Sequence, residues 1–379
     1  MRQALFAGSF DPFTLGHLDT VEQAAAMFDR LTIAVAVNAG KGRGLFDLEQ
    51  RVAFVRAGVT HLPNVTVTTC GAEYVVNFAE RIGCQWLVRG LPTFADFSYE
   101  YDLFHINRET NPRLVTVFFM CDKAEQQIRS SNIRAQLGLR HWPRFVRRYL
   151  PEPVLRAMVE LDAERRWRET FPERVEVFGD RLRPWLGARP YHDFRHVLHL
   201  LDLAEEFDWR APREAVRAAC WFHDARVDSD ADLAGAAPGT AERQSAQAAG
   251  EVFADAPWRD TVDRLIAATA PGAGVASATD ADTALFRALD WSVLAFPPEE
   301  YDDHVARIRQ EYIPVFGVEK YQAGREAFLR AMISRAREHG LFSDAVAFTA
   351  HPAWRLAESQ AADNLRRELT ALREENRAP

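Results

Sequence analysis

Cysteine is scarce in this 379-residue chain, and the four that occur, Cys70, Cys84, Cys121 and Cys220, stand far apart. With no paired spacing among them, neither a disulfide framework nor a cysteine-based zinc site is expected, and the thiols read as reduced. Long apolar runs are missing too. No uninterrupted stretch reaches the roughly 18 residues that span a bilayer, and the N-terminal MRQALFAGSF meets Asp11 and Pro12 before a signal-like core is complete. A cytoplasmic setting without a membrane partner is the expectation. The chain also lacks any Lys/Arg run. Residues 1–150 carry 17 Lys+Arg against 14 Asp+Glu and the remainder 29 against 40, within a net charge of −8. A mild basic excess at the front suits a small phosphorylated ligand but is a poor footprint for nucleic acid, so no nucleic-acid partner is expected. Internal repeats and low-complexity tracts are absent, and 47% hydrophobic with 26% charged residues excludes disordered and fibrous classes. At this length two domains are expected.

What is present divides by period. QALFAG (3–8), LTIAVAV (31–37), VTVTT (65–69), WLVRG (86–90) and LVTVFFM (114–120) are short β-rich runs, with helical patterns between them at 16–28, 47–58, 73–82 and 96–107. Continuous apolar strands separated by helices predict a parallel sheet covered on both faces, whose ligands bind beyond the carboxyl ends of the strands. After Pro151 the strand signal stops and amphipathic helices follow; the charged LDAERRWR (161–168) lacks the Gly, Ser and Pro of a coil and reads as a bridging helix. The expected class is α/β, with a Rossmann-like parallel-sheet domain over 1–160 and an all-α domain over 161–379.

In GSFDPFTLGHLD the first strand ends in Gly8-Ser9 and a helix opens near Gly16. Small residues let main-chain N–H groups approach a ligand, and the helix N-terminus adds its positive dipole end, which makes an anion cradle. Thr14 and His17, at i and i+3, add a hydroxyl and an imidazole placed to hold phosphate oxygens. Such a turn suits adenylyl transfer, in which a phosphate attacks an α-phosphorus and pyrophosphate leaves without an enzyme nucleophile. A plainer reading, glycines in a turn and His17 as a helix cap, stands beside it.

Four pieces, GSFDPFTLGHLD, NAGKGRGLFDLEQR, VRGLPTFADFSYEYDLFHINR and IRSSNIR, give residues 1–150 a resemblance to the nucleotidyltransferase superfamily and, within it, to the phosphopantetheine adenylyltransferase family. The third piece is the most specific. The resemblance implies a homo-oligomer that transfers AMP from ATP to 4'-phosphopantetheine with Mg²⁺. It implies His17 and Thr14 as the catalytic pair, and Ser9, Phe10, His17, Gly90, Leu91, Glu100, Ser130 and Ser131 at ATP. Ser9, Lys41, Val75 and Arg89 fall at the acceptor. Pro92 stands where the family usually has an arginine and Arg129 where it has a serine, while a longer loop over 38–46 leaves Lys41 and Arg43 both eligible. A different phosphorylated acceptor therefore stays open.

In YHDFRHVLHLLDL, His192, His196 and His199 are spaced four and three apart, so on a helix they share a face. ACWFHDARVD adds His223-Asp224 at the end of an apolar helix. Read singly, each histidine is better explained as structural; the His223-Asp224 pair with a histidine upstream reverses this, since imidazole and carboxylate together suit a divalent transition metal such as Mn, Fe, Ni or Zn. The motifs YHxxxHV, WFHD and DxxxL resemble those of the HD-domain metal-dependent phosphohydrolases over about 165–370. The resemblance implies His196, His223, Asp224 and Asp290 as the metal set, with Tyr191, His192, Asp228, Glu242, Tyr312 and Arg325 around it. Pro271-Gly272-Ala273-Gly274 replaces histidines of such relatives, which argues for a single metal. Two functions fit this half: hydrolysis of a phosphoester or phosphoanhydride, or nucleotide sensing that regulates the front half.

Overall fold

The apolar runs at the front form five strands in the computed structural model: β1 (Gln3–Gly8), β2 (Arg30–Ala36), β3 (Val65–Cys70), β4 (Trp86–Leu91) and β5 (Val115–Met120). The structure describes residues 1–37, 44–71, 73–91, 97–120, 129–270 and 280–376. All strand pairs are parallel, in the order β3-β2-β1-β4-β5. β1 is central, with Ala4, Leu5, Phe6 and Ala7 buried, because helices cover both faces of the sheet. One face packs on the helix Val75–Arg81 through Leu5, Ala7, Ala34, Leu87, Val76 and Phe78. The helices Leu15–Met27, Leu48–Gly58 and Phe97–Thr110 complete the alternation. Chain order runs outward from β1 to β3 and then returns to the other side of β1 at β4. The carboxyl ends of β1 and β4 therefore flank a switch point, where the connecting loops diverge and leave a crevice.

Contacts divide the chain into two units, residues 1–162 and 163–379. The division falls inside the helix Glu152–Thr170, which contains the charged stretch read as a helix. Among its described residues the second unit has helices and no strand. Its interior is an aromatic cluster in which Trp167 packs on Phe171, Trp221, Phe222 and Phe253. The helices Phe194–Ala204 and Arg213–Phe222 sit in that core, with nearly every side chain of the first buried. Cys70, Cys84 and Cys220 are buried free thiols, and Cys121 lies outside the described residues.

Candidate functional site

The turn after β1 is held from several sides. Phe10 has φ of 44°, in the left-handed region, and its ring is buried against Phe6 and Phe13. A Cβ on Gly8 would come within 2.9 Å of that ring, so the close approach requires glycine there. Asp11 accepts the main-chain N–H groups of Leu45 and Phe46, each at 3.0 Å, which ties the turn to the segment before Leu48–Gly58. Arg51, itself buried, donates to the carbonyls of Ser9 (2.9 Å) and Ala36 (3.2 Å). Arg134 and Ser130 donate to the carbonyls of Asp11 and Pro12, at 2.6 and 2.8 Å.

Thr14 caps the helix Leu15–Met27, and its hydroxyl accepts the His17 N–H. In return, His17 Nδ1 accepts the Thr14 N–H at 3.0 Å. A main-chain N–H can only donate, so Nδ1 carries the lone pair and the neutral ring keeps its proton on Nε2. Burial pushes the imidazole down to about 4, which makes it neutral at physiological pH. Its ring stacks on Phe13 and meets Phe10 edge-on. The cap reading and the donor reading of His17 are thus compatible, because they use different nitrogens. Thr14 is 1% exposed and its hydroxyl lies 2.9 Å from His17 Nδ1. Its hydrogen bonds to His17 hold the ring in place.

Other expected residues sort by position. Gly90 lies at the end of β4, where a Cβ would come within 2.8 Å of the Thr20 hydroxyl, and Leu91 beside it is buried. Arg89 binds the Glu100 carboxylate through Nε and Nη2 at 2.6 and 2.5 Å. These two were read as contacts to different substrates, and the structure makes them one ion pair. The Phe10 ring belongs to the core, which leaves its main chain for a ligand. Val75 is half-buried against the sheet, Ser130 opens the short helix Ser130–Arg134, and Ser131 is exposed at its first turn. Lys41, Arg43, Pro92 and Pro271–Gly274 lie outside the described residues.

In the second unit four residues from three places in the chain converge: ligand atoms of His196, His223, Asp224 and Asp290 all lie within 4.8 Å of one another. The two Nε2 atoms are 3.1 Å apart, with Asp290 3.1 Å from His196 and Asp224 3.0 Å from His223. His223 Nδ1 lies 3.1 Å from the Cys220 carbonyl and donates to it, which turns Nε2 toward the cluster. Burial opposes a charge on His223, but Asp224 and Asp290 outweigh it and raise the imidazole to about 9. Asp224 is driven down despite its burial by His223 and His192. Arg189 fixes the backbone here, donating to the carbonyls of Asp224 (2.6 Å) and Ala225 (3.0 Å).

The shared helical face expected for His192, His196 and His199 is not formed. Asp193 caps the helix and accepts the Arg195 N–H, so His192 precedes the first turn. His192 Nδ1 meets Glu311 Oε1 at 2.6 Å, while the Tyr191 and His192 N–H groups donate to Oε2. Burial would raise Glu311, but His192 and these donors hold it at about 2, and the carboxylate in turn raises His192 against its own burial. His199 faces the Ser292 hydroxyl at 3.0 Å. A cavity of about 620 Å³ adjoins the cluster and includes Tyr191, His192, Asp228, Glu242, Tyr312 and Arg325 in its wall. Part of its wall comes from the helices Pro298–Phe316 and Val318–Glu338, joined by the single residue Gly317 at φ 78° and ψ 162°.

A family model described as cytidylyltransferase-like matches residues 5–136. The phosphopantetheine adenylyltransferase of Chromobacterium violaceum is 35% identical over 164 residues, which is 43% of this chain and 99% of that protein. The chain belongs to the phosphopantetheine adenylyltransferase family. Proteins of the same name from Lacticaseibacillus paracasei and Ruegeria pomeroyi are 37% and 42% identical, over 41% and 36% of this chain and 90% and 87% of their own. No helix among the described residues is long and apolar enough to cross a membrane.

In this phosphopantetheine adenylyltransferase family member, sequence reading passed over Arg51 and Arg134, which hold the turn, and Glu311, which holds His192. The signal for Arg51 was its place in a run of buried residues, Val52, Phe54 and Val55, on a helix beside the loop. Glu311 carried no such signal. It comes from a helix 119 residues beyond His192, and only the tertiary fold brings the two together.

Proposed function

We propose that the first unit transfers AMP from ATP to 4'-phosphopantetheine, giving dephospho-CoA and pyrophosphate, a step of coenzyme A biosynthesis. The supporting observation is the neutral His17, held through Nδ1 and left with an Nε2–H donor beside the β1 turn. An acceptor phosphate oxygen attacks the α-phosphorus, and the bond to the pyrophosphate oxygen breaks as charge shifts to the leaving group. His17 donates to a phosphate oxygen on which that charge builds, and loses no proton in doing so. The N-terminus of Leu15–Met27 and the main chain at Ser9 supply further donors. Lys41 draws in the acceptor phosphate, with Val75 against its apolar arm, and Arg89 turns to that phosphate by giving up its pair with Glu100. Glu100, Gly90 and Leu91 lie on the adenosine side, and Ser130 and Ser131 on the triphosphate. Mg²⁺ bound with ATP adds neutralising charge. The protein works in the cytoplasm as a homo-oligomer in this reading. Pyrophosphate release from ATP is the test, with phosphopantetheine and nicotinamide mononucleotide as alternative acceptors. Turnover of the second without the first overturns the assignment.

The second unit, in the same proposal, is an HD-type metal centre that hydrolyses a phosphoester. Its support is the convergence of two imidazoles and two carboxylates. The donor set fits a divalent ion such as Mn, Fe, Ni or Zn: ligands about 2.1 Å from one ion lie roughly 3 to 4 Å apart, comparable with the closest separations found here. The orientation of His223 by the Cys220 carbonyl and its raised affinity for a proton point the same way, since a cation of either kind relieves the paired carboxylates. Such an ion supplies Lewis acidity toward a phosphoryl group and a nucleophile near neutral pH. Metal analysis of the purified chain, together with phosphate release by wild type and Asp224→Asn, tests it. Metal-free protein in both, or equal hydrolysis by both, removes the reading.

A further inference from the structure

The cavity beside the four metal-type ligands has an uneven charge balance. Asp224, Asp228, Asp290 and Glu242 contribute carboxylates to its wall, and Arg226, Lys320 and Arg325 contribute cations. Two of those cations are already committed. Arg226 binds Asp230 at 2.8 Å and Asp232 at 2.5 and 2.6 Å, and Arg325 binds both oxygens of Glu368 at 2.7 and 3.0 Å. Lys320 has no carboxylate partner among the described residues, and its ammonium group lies 4.8 Å over the Phe316 ring. Sites for nucleoside triphosphates surround each phosphate with cations and main-chain donors. With Asp224 and Asp290 committed to the ion, the described wall offers Asp228 and Glu242 against the single uncommitted Lys320, too little positive charge to surround three phosphates.

The same wall also carries aromatic rings. Phe316 stacks on Tyr312 with ring centroids 5.9 Å apart and an interplanar angle of 25°, and Phe328, 40% exposed, lines the same wall. A volume of about 620 Å³ lies in the range of pockets that bury a drug-sized molecule, far more than a phosphate alone needs. Tyr312 and Phe316 are only partly buried, and a flat apolar body laid against them would remove their remaining apolar surface from water.

We infer that this cavity selects a phosphomonoester whose single phosphoryl group sits at the ligand cluster and whose uncharged, ring-bearing body packs on Tyr312 and Phe316. This substrate class rests on the phosphohydrolase reading above. In the reaction water oxygen joins phosphorus, the ester P–O bond breaks, and the leaving oxygen takes a proton, so the products are an alcohol and inorganic phosphate.

The test uses the full chain loaded with Mn²⁺ and measures inorganic phosphate from benzyl phosphate, ethyl phosphate, guanosine monophosphate and guanosine triphosphate. Benzyl and ethyl alcohols are leaving groups of similar acidity, so their comparison isolates the ring. Benzyl phosphate is expected to exceed ethyl phosphate at least tenfold in kcat/KM, and guanosine monophosphate to exceed the triphosphate by a similar factor. Phe316→Leu should lower the benzyl-to-ethyl ratio severalfold and weaken calorimetric binding of the non-hydrolysable benzylphosphonate by a similar factor, and a thermal melt of this variant checks that it folds. Equal rates for benzyl and ethyl phosphate, or preference for the triphosphate, overturn the inference while leaving a phosphohydrolase in place. Absence of hydrolysis of all four, or hydrolysis undiminished in Asp224→Asn, instead removes the phosphohydrolase reading beneath it.

Discussion

Replacing His17 with alanine separates two claims about the nucleotide turn, that the imidazole is a neutral donor and that its seat also starts a helix. Burial lowers the ring from its ordinary 6.5 to about 4, so at pH 7 about one molecule in a thousand carries the imidazolium. Loss of a donor aimed at developing charge costs about 2.7 to 4 kcal/mol, or a factor of about 10² to 10³ in kcat, with a smaller change in KM for ATP. The wild-type rate should show no inflection between pH 6 and 7 that His17→Ala abolishes. Stability gives an independent readout. The folded ring has the lower pKa, so the unfolded chain binds more protons between pH 4 and 6.5. The contribution of His17 is therefore complete above 6.5 and is lost as pH falls toward 4, at most about 3 kcal/mol in all. Chemical denaturation of wild type and His17→Ala from pH 4 to 7.5 should show a steeper decline in the wild type. A kcat within tenfold of wild type, or parallel stability curves, would refute the role assigned to the ring.

Gly90→Ala should destabilise by about 1 to 3 kcal/mol, because the new methyl meets the Thr20 hydroxyl at 2.8 Å, and Thr20→Ala in the same chain should restore most of the loss; strictly additive costs in denaturation would contradict this contact. In the second unit, a proton held by His223 up to about pH 9 competes with a metal ion, so apparent Mn²⁺ affinity should weaken by about tenfold per pH unit as pH falls from 9 to 7. A flat titration would contradict a shared site. Arg335 stacks on Trp291 with Nε and Nη2 buried and unpartnered among the described residues, and burial together with Arg287 lowers its affinity for the proton. Arg335→Met keeps the stem and removes the unsatisfied charge, so the melting temperature should hold or rise; a loss above about 1 kcal/mol would show that the guanidinium is supported.

The sheet was legible because strands covered on both faces need apolar residues at consecutive positions, as in Leu31, Ile33, Ala34 and Val35 of β2, all fully buried. The metal-type cluster was legible from His223-Asp224 at the end of a buried helix, although Asp290 joins it from far along the chain. Helical spacing misled for His192, because Asp193 next to it is a better cap than a helix interior residue, and the cap sets where the periodicity begins. Arg89 and Glu100 show a different limit. Each side chain was placed near the right crevice, yet a linear pattern holds no information on whether two opposite charges face a ligand or each other.

The joint at Gly317 has a stereochemical consequence. Its φ of 78° and ψ of 162° belong to a region that L-residues avoid for reasons of handedness, while nothing stands within 4 Å of the Cβ position there. Inverted through a mirror, those angles are ordinary extended backbone. A D-alanine introduced at 317 by chemical ligation would therefore adopt these dihedrals without the backbone strain that L-alanine would meet, and would stiffen the corner that joins both helices of the cavity wall by narrowing the unfolded chain's choices.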